Sequence, residues 1–418
     1  MKENQKRRKT GLWTKDFTCI TAATALSAIG GEALNFPVSL LVFEKTQSTL
    51  LSALILVCGM LPDTVLPVLA APLIDRGSRK KWIVGMDILL AVFCFGMGGL
   101  VAGNEFSYGA YVVFVLAVGT ISVFYRLAYA AWYPDLIPRG AEQRGYAVSS
   151  ALYPFITVVA APAAAFLYER AEMEHLLFLA GALTLLSVAV ESLIAETGVR
   201  QGERYPFRQY LQDIREGFSY LKKEKGIRNI YTYMSITNGI SGGMDVLVQA
   251  FFQTSPLLSV TMLGILKSAE MIGRVVGGCV QYAVEIPVKR RYVFTKAVYL
   301  FYEMTDAVLL FLPYPLMLAG RFLCGGLGIS SATIRETAVQ SYLKPGMRAR
   351  VNAFFDVAVS LGCVAFQLLA GLLGRVIPLR YAAAGFGLFG LGSIIVLIII
   401  PAGVNRPVYE AVRREEDD

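Results

Sequence analysis

The chain has 418 residues, 55% of them hydrophobic and only 17% charged, with a mean hydropathy of +0.55 and a formal net charge of +8. No water-soluble domain of this length keeps such a balance, so the chain belongs in a bilayer. The positive charge needs no nucleic-acid partner, because membrane topology accounts for most of it.

A basic stretch, MKENQKRRKTGLWTK, precedes the first apolar run at 17 to 43. That run is too long for a signal-peptide core and lacks a small-residue cleavage site, which predicts a retained span. Eleven more runs long enough to cross a hydrocarbon core as helix follow, at 50 to 74, 82 to 102, 108 to 133, 146 to 168, 175 to 195, 229 to 253, 258 to 284, 292 to 312, 315 to 342, 351 to 376 and 380 to 402. Counted over alternate loops and both tails, 29 Lys and Arg residues fall on one side and 4 on the other, which places both termini in the cytoplasm and the protein in the inner membrane.

Within this series a charged knot recurs. APLIDRGSRKKW at 71 to 82 and EIPVKRRY at 285 to 292 share an acid, three residues, three cations and an aromatic, and Glu285 lies 210 positions after Asp75. Gly30-Gly31 with Gly242-Gly243, Arg126 with Arg335, and Pro138 with Pro345 keep nearly the same offset. The spacing predicts six spans duplicated in parallel, a transporter architecture with its site near the midplane between the halves. The expected organisation is a basic tail at 1–16, a six-helix bundle at 17–196, a linker at 197–228, a second bundle at 229–402 and a tail at 403–418. In the linker, Phe207, Tyr210, Leu211, Ile214, Phe218 and Leu221 recur at helical spacing, which predicts an amphipathic helix on anionic headgroups of the inner surface.

Other chemistry finds little support. Six cysteines lie far apart inside spans, without metal-ligand spacing, and His175 is the single histidine. No G-x-x-x-x-G-K-S/T phosphate loop occurs. The chain is therefore expected to be no enzyme, to need no cofactor or metal, and to burn no nucleotide.

The knot Ala71-Pro72-Leu73-Ile74-Asp75-Arg76-Gly77-Ser78-Arg79-Lys80 resembles the G-x-L-A-D-R-x-G-R-K signature of the major facilitator superfamily. LPDTVLPVLAAPLIDRGSRKKWIVGMDILLAV, YPDLIPRGAEQRGYAVSSAL and QSYLKPGMRARVNAFFDVAV look like the branch holding macrolide-efflux-type pumps and the enterobactin exporter. The resemblance implies an all-α membrane protein of twelve transmembrane helices in two pseudo-symmetric six-helix bundles, acting as a monomer on a small molecule and protons. It departs from the family where Ala71 and Ser78 replace glycines and where the antiporter motif of span 5 is reduced to AAPAAA.

Ionisable residues inside spans mark pathways or ion pairs. Glu32, Asp63 and Glu270 are the candidate proton-coupling acids, with Glu32 preferred for its midplane depth on the first span. Span 8 sets Lys267, Glu270 and Arg274 on one face, so local neutralisation of Glu270 is expected. Asn35, Phe36, Tyr125, Tyr129, Trp132, Asn238, Asp245, Gln249 and Arg321 are the candidate cavity residues, with Asp245 and Arg321 deep enough alike to pair. Asp75, Arg76, Arg79, Lys80 and Glu285 form the expected conformational latch. The leading expectation is proton-coupled efflux of an amphipathic molecule; proton-linked uptake of a nutrient or small organic anion on Arg321, and a transporter-like sensor without flux, remain open. If the latch holds one conformation shut, Asp75→Asn lowers turnover while leaving ligand affinity nearly intact, and unchanged transport rates in vesicles would dismiss it.

Overall fold

The computed structural model describes residues 11–103, 106–138, 141–196, 207–284, 286–344 and 347–411. Its helices are α1 (Lys15–Thr46), α2 (Thr49–Arg76), α3 (Arg79–Gly103), α4 (Tyr108–Leu136), α5 (Glu142–Arg170), α6 (Met173–Ser192), α7 (Phe207–Lys223), α8 (Lys225–Thr254), α9 (Val260–Ala283), α10 (Val288–Val308), α11 (Tyr314–Tyr342), α12 (Arg348–Val376), α13 (Leu379–Ile394) and α14 (Ala402–Tyr409). All twelve expected runs are long helices, α1 to α6 and α8 to α13. Short loops punctuate them with side-chain caps: Thr14, Ser48 and Ser259 accept from backbone N–H groups three residues on.

Among the described residues, eight helices have by themselves the length and hydropathy of a membrane span: α1, α3 to α6, and α11 to α13, the last continuing through Ile399. α2 contributes a shorter apolar stretch, Thr49–Thr64. α8 falls short through its Thr, Asn, Ser, Gln and Asp245 residues, and α9 and α10 through Lys267, Glu270 and Arg274, then Lys296, Glu303 and Asp306. Apolarity alone therefore under-counts the long helices where the chain concentrates its buried charge.

The packing repeats itself. α1 lies against α5 and α6, α2 against α4, and α3 against α4 and α6; α8 lies against α12 and α13, α9 against α11, and α10 against α11 and α13. Replacing α1–α6 by α8–α13 in order converts the first set into the second. The contacts between the groups, α5 on α9 and α2 on α12, exchange under the same replacement.

Glycine permits the closest approaches, since helices in lipid gain by packing backbones together. A Cβ on Gly119 of α4 would strike the Gly59 carbonyl of α2. In the other half, Cβ atoms on Gly273 and Gly277 of α9 would strike the Phe322 and Gly326 carbonyls of α11, and one on Gly325 would strike that of Glu270. Between halves, Gly264 of α9 sits on Ala161, Pro162 and Ala165, so the AAPAAA segment is a seam between bundles.

Among the described residues, hydrogen bonds that cross between halves include Ser39 to Gln249 (3.0 Å), Gln253 to the Leu40 carbonyl (2.9 Å), Thr49 to the Gly371 carbonyl (2.6 Å), Thr261 N to Glu169 (3.1 Å), with the Thr261 hydroxyl on the same carboxylate, and Ser268 to the Val158 carbonyl (2.7 Å). They lie between mid-depth and the end remote from the termini. An apolar cluster there joins Leu40, Ala53 and Ala165 to Leu247, Phe252 and Leu263. The seam between the two halves is closed at that end.

α7 differs from the expectation of a helix resting on lipid. It packs along α12, where Glu216 pairs with Arg350 at 2.6 Å, Phe218 meets Phe354 at 5.6 Å, and Gly217 touches the Arg350 backbone. Leu221 is buried beside Ile227 and Ile230. The side chains of Phe207, Tyr210, Leu211 and Ile214 lie outside the described residues.

Gly277→Val inserts a side chain where two backbones meet and is expected to destabilise the protein by about 1–3 kcal/mol. Unfolding in detergent checks this, with the open position Gly278, whose Cβ would meet nothing, as the neutral control.

Candidate functional site: a cavity with a charged mouth

A cavity of about 570 Å3 opens among α1, α2, α4 and α5. Its far wall is apolar, with Leu34, Val38, Ile55, Phe114 and Val118, and its polar groups, Asp63, Arg126 and Tyr153, lie toward the end carrying the termini. Asp63 of α2 and Arg126 of α4 form an ion pair whose side chains are 50% and 60% exposed. The Gly59–Gly119 contact one turn or two away sets the distance between these helices, and so the pair. Exposed pairs of this kind are weak and readily exchanged for another partner. Asp356 of α12, exposed on the facing bundle, acts electrostatically on Arg126 across the gap.

Glu32 of α1, half-buried and about 21 Å of helix from the far end of α1, sits beside this cavity. Its Oε1 accepts from the hydroxyls of Tyr153 at 3.0 Å and Thr157 at 3.1 Å, one turn apart on α5. Tyr153 is 57% exposed and links Glu32 to the cavity mouth. Glu32 is thus tied through Tyr153 to the wall of the cavity.

Several expected cavity residues face elsewhere. Trp132 is fully buried among Phe17, Ile20, Ala70 and Ile74. Tyr125 turns into the bundle and donates to Glu191 at 3.2 Å, and Tyr129 is stacked between Tyr125 (6.2 Å) and Tyr133 (5.1 Å). All three lie on α4, whose cavity face is instead Val115, Val118, Gly119, Ser122 and Arg126; a nearly uniform apolar helix gives no sequence signal of its rotation. Gln249 is buried and accepts from Ser39, which makes it part of the far-end closure. The side chains of Asn35 and Phe36 lie outside the described residues.

In the second half the charges are packed. Arg321 of α11 lies 3.2 Å from Asp306 of α10 and 3.7 Å from Glu270 of α9, and Arg274 donates to Glu270 at 2.8 Å. The expected Asp245–Arg321 pair is therefore replaced: Asp306, one turn from Glu303 on α10, is the nearer acid. Asp245, exposed on α8, stays within the electrostatic reach of Lys267 and Arg321. Asn238 is exposed on the same helix, its amide donating to the Met234 carbonyl at 2.7 Å. Glu270 is held by two guanidinium groups, as its local spacing implied. Arg321 is thus engaged by two carboxylates.

The described latch residues also bind within one bundle. Arg79 pairs with Asp135 of α4 at 2.5 Å. The Lys80 ammonium donates to the Ser192 and Ile194 carbonyls at 2.8 and 2.6 Å, where the C-terminus of α6 presents unpaired carbonyls and partial negative charge. Both ties are closer to hand than any acid across the gap. Asp75 and Arg76 side chains, and Glu285, lie outside the described residues.

The sequence reading took Arg126 only as a repeat equivalent of Arg335, not as a site residue, and missed Thr157. Tyr153 and Thr157, spaced i and i+4 on one face of α5, were the available signal.

The family model of the Major Facilitator Superfamily matches residues 20–302. The chain belongs to this superfamily. It is a multi-pass membrane transporter of small molecules, not an enzyme. Among curated relatives, macrolide efflux protein A of Streptococcus pyogenes is 22% identical over 392 residues, covering 87% of this chain and 91% of that protein. Macrolide efflux protein A of Enterococcus faecalis is 24% identical over 225 residues, covering 49% of this chain and 64% of that protein. Solved structures share the fold at low identity. Nucleoside transporter NupG aligns with a TM-score of 0.69 at 12% identity over 93% of this chain and 98% of its own, and peptide transporter POT with alafosfalin at 0.72 and 10% over 95% and 97%.

Because the Asp63–Arg126 pair is half exposed, Arg126→Gln is expected to lower transport by about tenfold while changing stability by less than about 1 kcal/mol. Uptake rates and thermal unfolding on the same preparation check this; a large loss of stability would make the pair a structural tie.

Proposed function

We propose that this transporter exports an amphipathic small molecule in exchange for protons, by alternating access of two bundles, 17–196 and 229–402, joined by the linker at 197–228. The observation that carries the reading is the cavity, apolar in depth and charged at its mouth, with Glu32 hydrogen-bonded on its wall. A cargo that buries its apolar body against Ile55 and Phe114 leaves its polar group at Asp63 and Arg126, where an exposed ion pair exchanges partners at little cost. The curated relatives named for macrolide efflux support the cargo class.

The cation distribution supports cytoplasmic termini and an inner-membrane location, with basic loops beside anionic headgroups. With that orientation the closed end is the outside and the cavity faces the cytoplasm, the state in which an exporter loads. Glu32 then serves as the coupling acid: water in the outward-open state supplies a proton, and cargo arriving from inside displaces it. Asp63, bound to Arg126, acts at the cargo end. Asp75, Arg76, Arg79, Lys80 and Glu285 brace the cytoplasmic ends of the bundles, and Asn238 and Asp245 line the facing wall.

The test uses proteoliposomes with a macrolide and the lipophilic cation tetraphenylphosphonium as probes. Under a pH gradient the protein is expected to accumulate probe on the side that loses protons. Glu32→Gln should reduce that accumulation by about tenfold or more while leaving counterflow intact, since a neutral amide mimics one protonation state and blocks only the net proton cycle. Absence of counterflow in the parent would overturn transport of these probes and favour a sensor; equal accumulation by Glu32→Gln would remove Glu32 from the coupling role.

A further inference from the structure

Two neighbouring side chains of α4 face opposite ways. Arg126 reaches Asp63 in the cavity, whereas Tyr125 enters the bundle and donates to Glu191 Oε1. Glu191 of α6 belongs to a polar cluster that the cavity does not use. The Ser27 hydroxyl of α1 lies 3.1 Å from Asp87 Oδ2 of α3 and 3.0 Å from the Ser187 hydroxyl, which lies 3.4 Å from Glu191 Oε1. An unbroken row of hydroxyls thus joins two carboxyl groups.

Both acids are sealed from water, Asp87 at 2% and Glu191 at 0% exposure. Among the described residues, no Lys, Arg or His pairs with either. Glu191 Oε2 is buried with no hydrogen-bond partner. The titratable groups facing the pair are each other and Tyr125, behind which Tyr129 stacks; α1 contributes the hydroxyl of Ser27. Two bare negative charges in such a place are untenable, and a bare charged oxygen at Oε2 is worse than a neutral carbonyl there.

The row counts its own protons. Asp87, Ser27, Ser187 and Glu191 leave three gaps, and the two serine hydroxyls fill two of them. One added proton, on either carboxyl, fills the third and gives the row a single direction; a second would fit only by turning the Ser187 hydroxyl out of the row to the Ala23 carbonyl. When the added proton leaves, the Ser187 hydroxyl has the Ala23 carbonyl as an alternative acceptor at 3.1 Å.

We infer that Asp87 and Glu191 hold one exchangeable proton between them, a second proton site behind the cavity, tied to cargo through Tyr125 and Arg126. The inference rests on the proton-exchange reading above. Loading forms one carboxyl O–H bond with a proton from water, and unloading returns that proton to water; no other bond changes. When cargo separates Arg126 from Asp63, α4 shifts and Tyr125 withdraws from Glu191, which moves the proton along the row.

Infrared spectra of the full-length protein in proteoliposomes, in potassium buffer near neutral pH with no cargo, test this in a Glu32→Gln background. The parent-minus-variant difference for Glu191→Gln is expected to show loss of one protonated carboxyl C=O band, and Asp87→Asn loss of the same band. The Gln amide replaces the donated proton, so that variant keeps the row and the fold; circular dichroism checks both. Tyr125→Phe should shift the band. No difference band in either folded variant would overturn the shared proton, and an unmoved band in Tyr125→Phe would overturn the tie to α4. Loss of the parent band when sodium replaces potassium would instead make the pair a metal-cation site and overturn the proposal. No cargo is needed, so failure of probe transport leaves this readout standing, and loss of the band leaves the transport result standing.

Discussion

A charge inside hydrocarbon needs its opposite, or a proton, within hydrogen-bond reach, and the interior of this transporter is arranged around that requirement. It is met in three ways. Asp63 and Arg126 satisfy each other at a cavity mouth where water reaches both. Arg321, Glu270, Arg274 and Asp306 form a packed cluster in which each guanidinium touches at least one carboxylate. Asp87 and Glu191 have hydroxyls and no cation. The first arrangement is exposed to water, the second is packed, and the third is the one for which we propose a shared proton.

The two halves repeat their helix packing without repeating their chemistry. Asp63 and Glu270 are equivalent by offset, as are Arg126 and Arg335, yet only the first-half members pair. Glu270 turns to Arg274 and Arg321, while Arg335 lies against Met234 and Glu336. Glycine contacts between α2 and α4, and again between α9 and α11, hold the corresponding helices close in both halves. Duplication therefore preserves the backbone seams, where any Cβ collides, and leaves side chains free to diverge. The result is a cavity in one half facing a braced wall in the other.

Placement of the seams also bears on movement. The crossing hydrogen bonds to Gln249, Gly371, Leu40 and Glu169 gather toward one end, and those to Gly371 and Leu40 accept on backbone carbonyls. Small residues at 160 to 165 let α5 lie directly on α9. Such contacts are numerous but individually modest, which suits the alternating access proposed above.

The amino-acid sequence by itself determined the bilayer habitat, twelve long helices, the duplicated order and the family, because each is a linear property: run length, cation asymmetry, and an offset near 210 between Asp75 and Glu285. It also placed Glu32 at mid-depth, since rise per residue is fixed. Tertiary structure alone decided which face of each helix meets water. Trp132 is buried and Tyr125 turns into the bundle while Arg126, between them, faces the cavity, and no local pattern sets this rotation on a helix that is apolar on nearly all sides. It alone decided pairing as well: Asp306 rather than Asp245 reaches Arg321, and Ser192 and Ile194 carbonyls rather than acids receive Lys80. A charge finds its partner through helix rotation and backbone approach, which depend on the whole bundle and are written in no single segment.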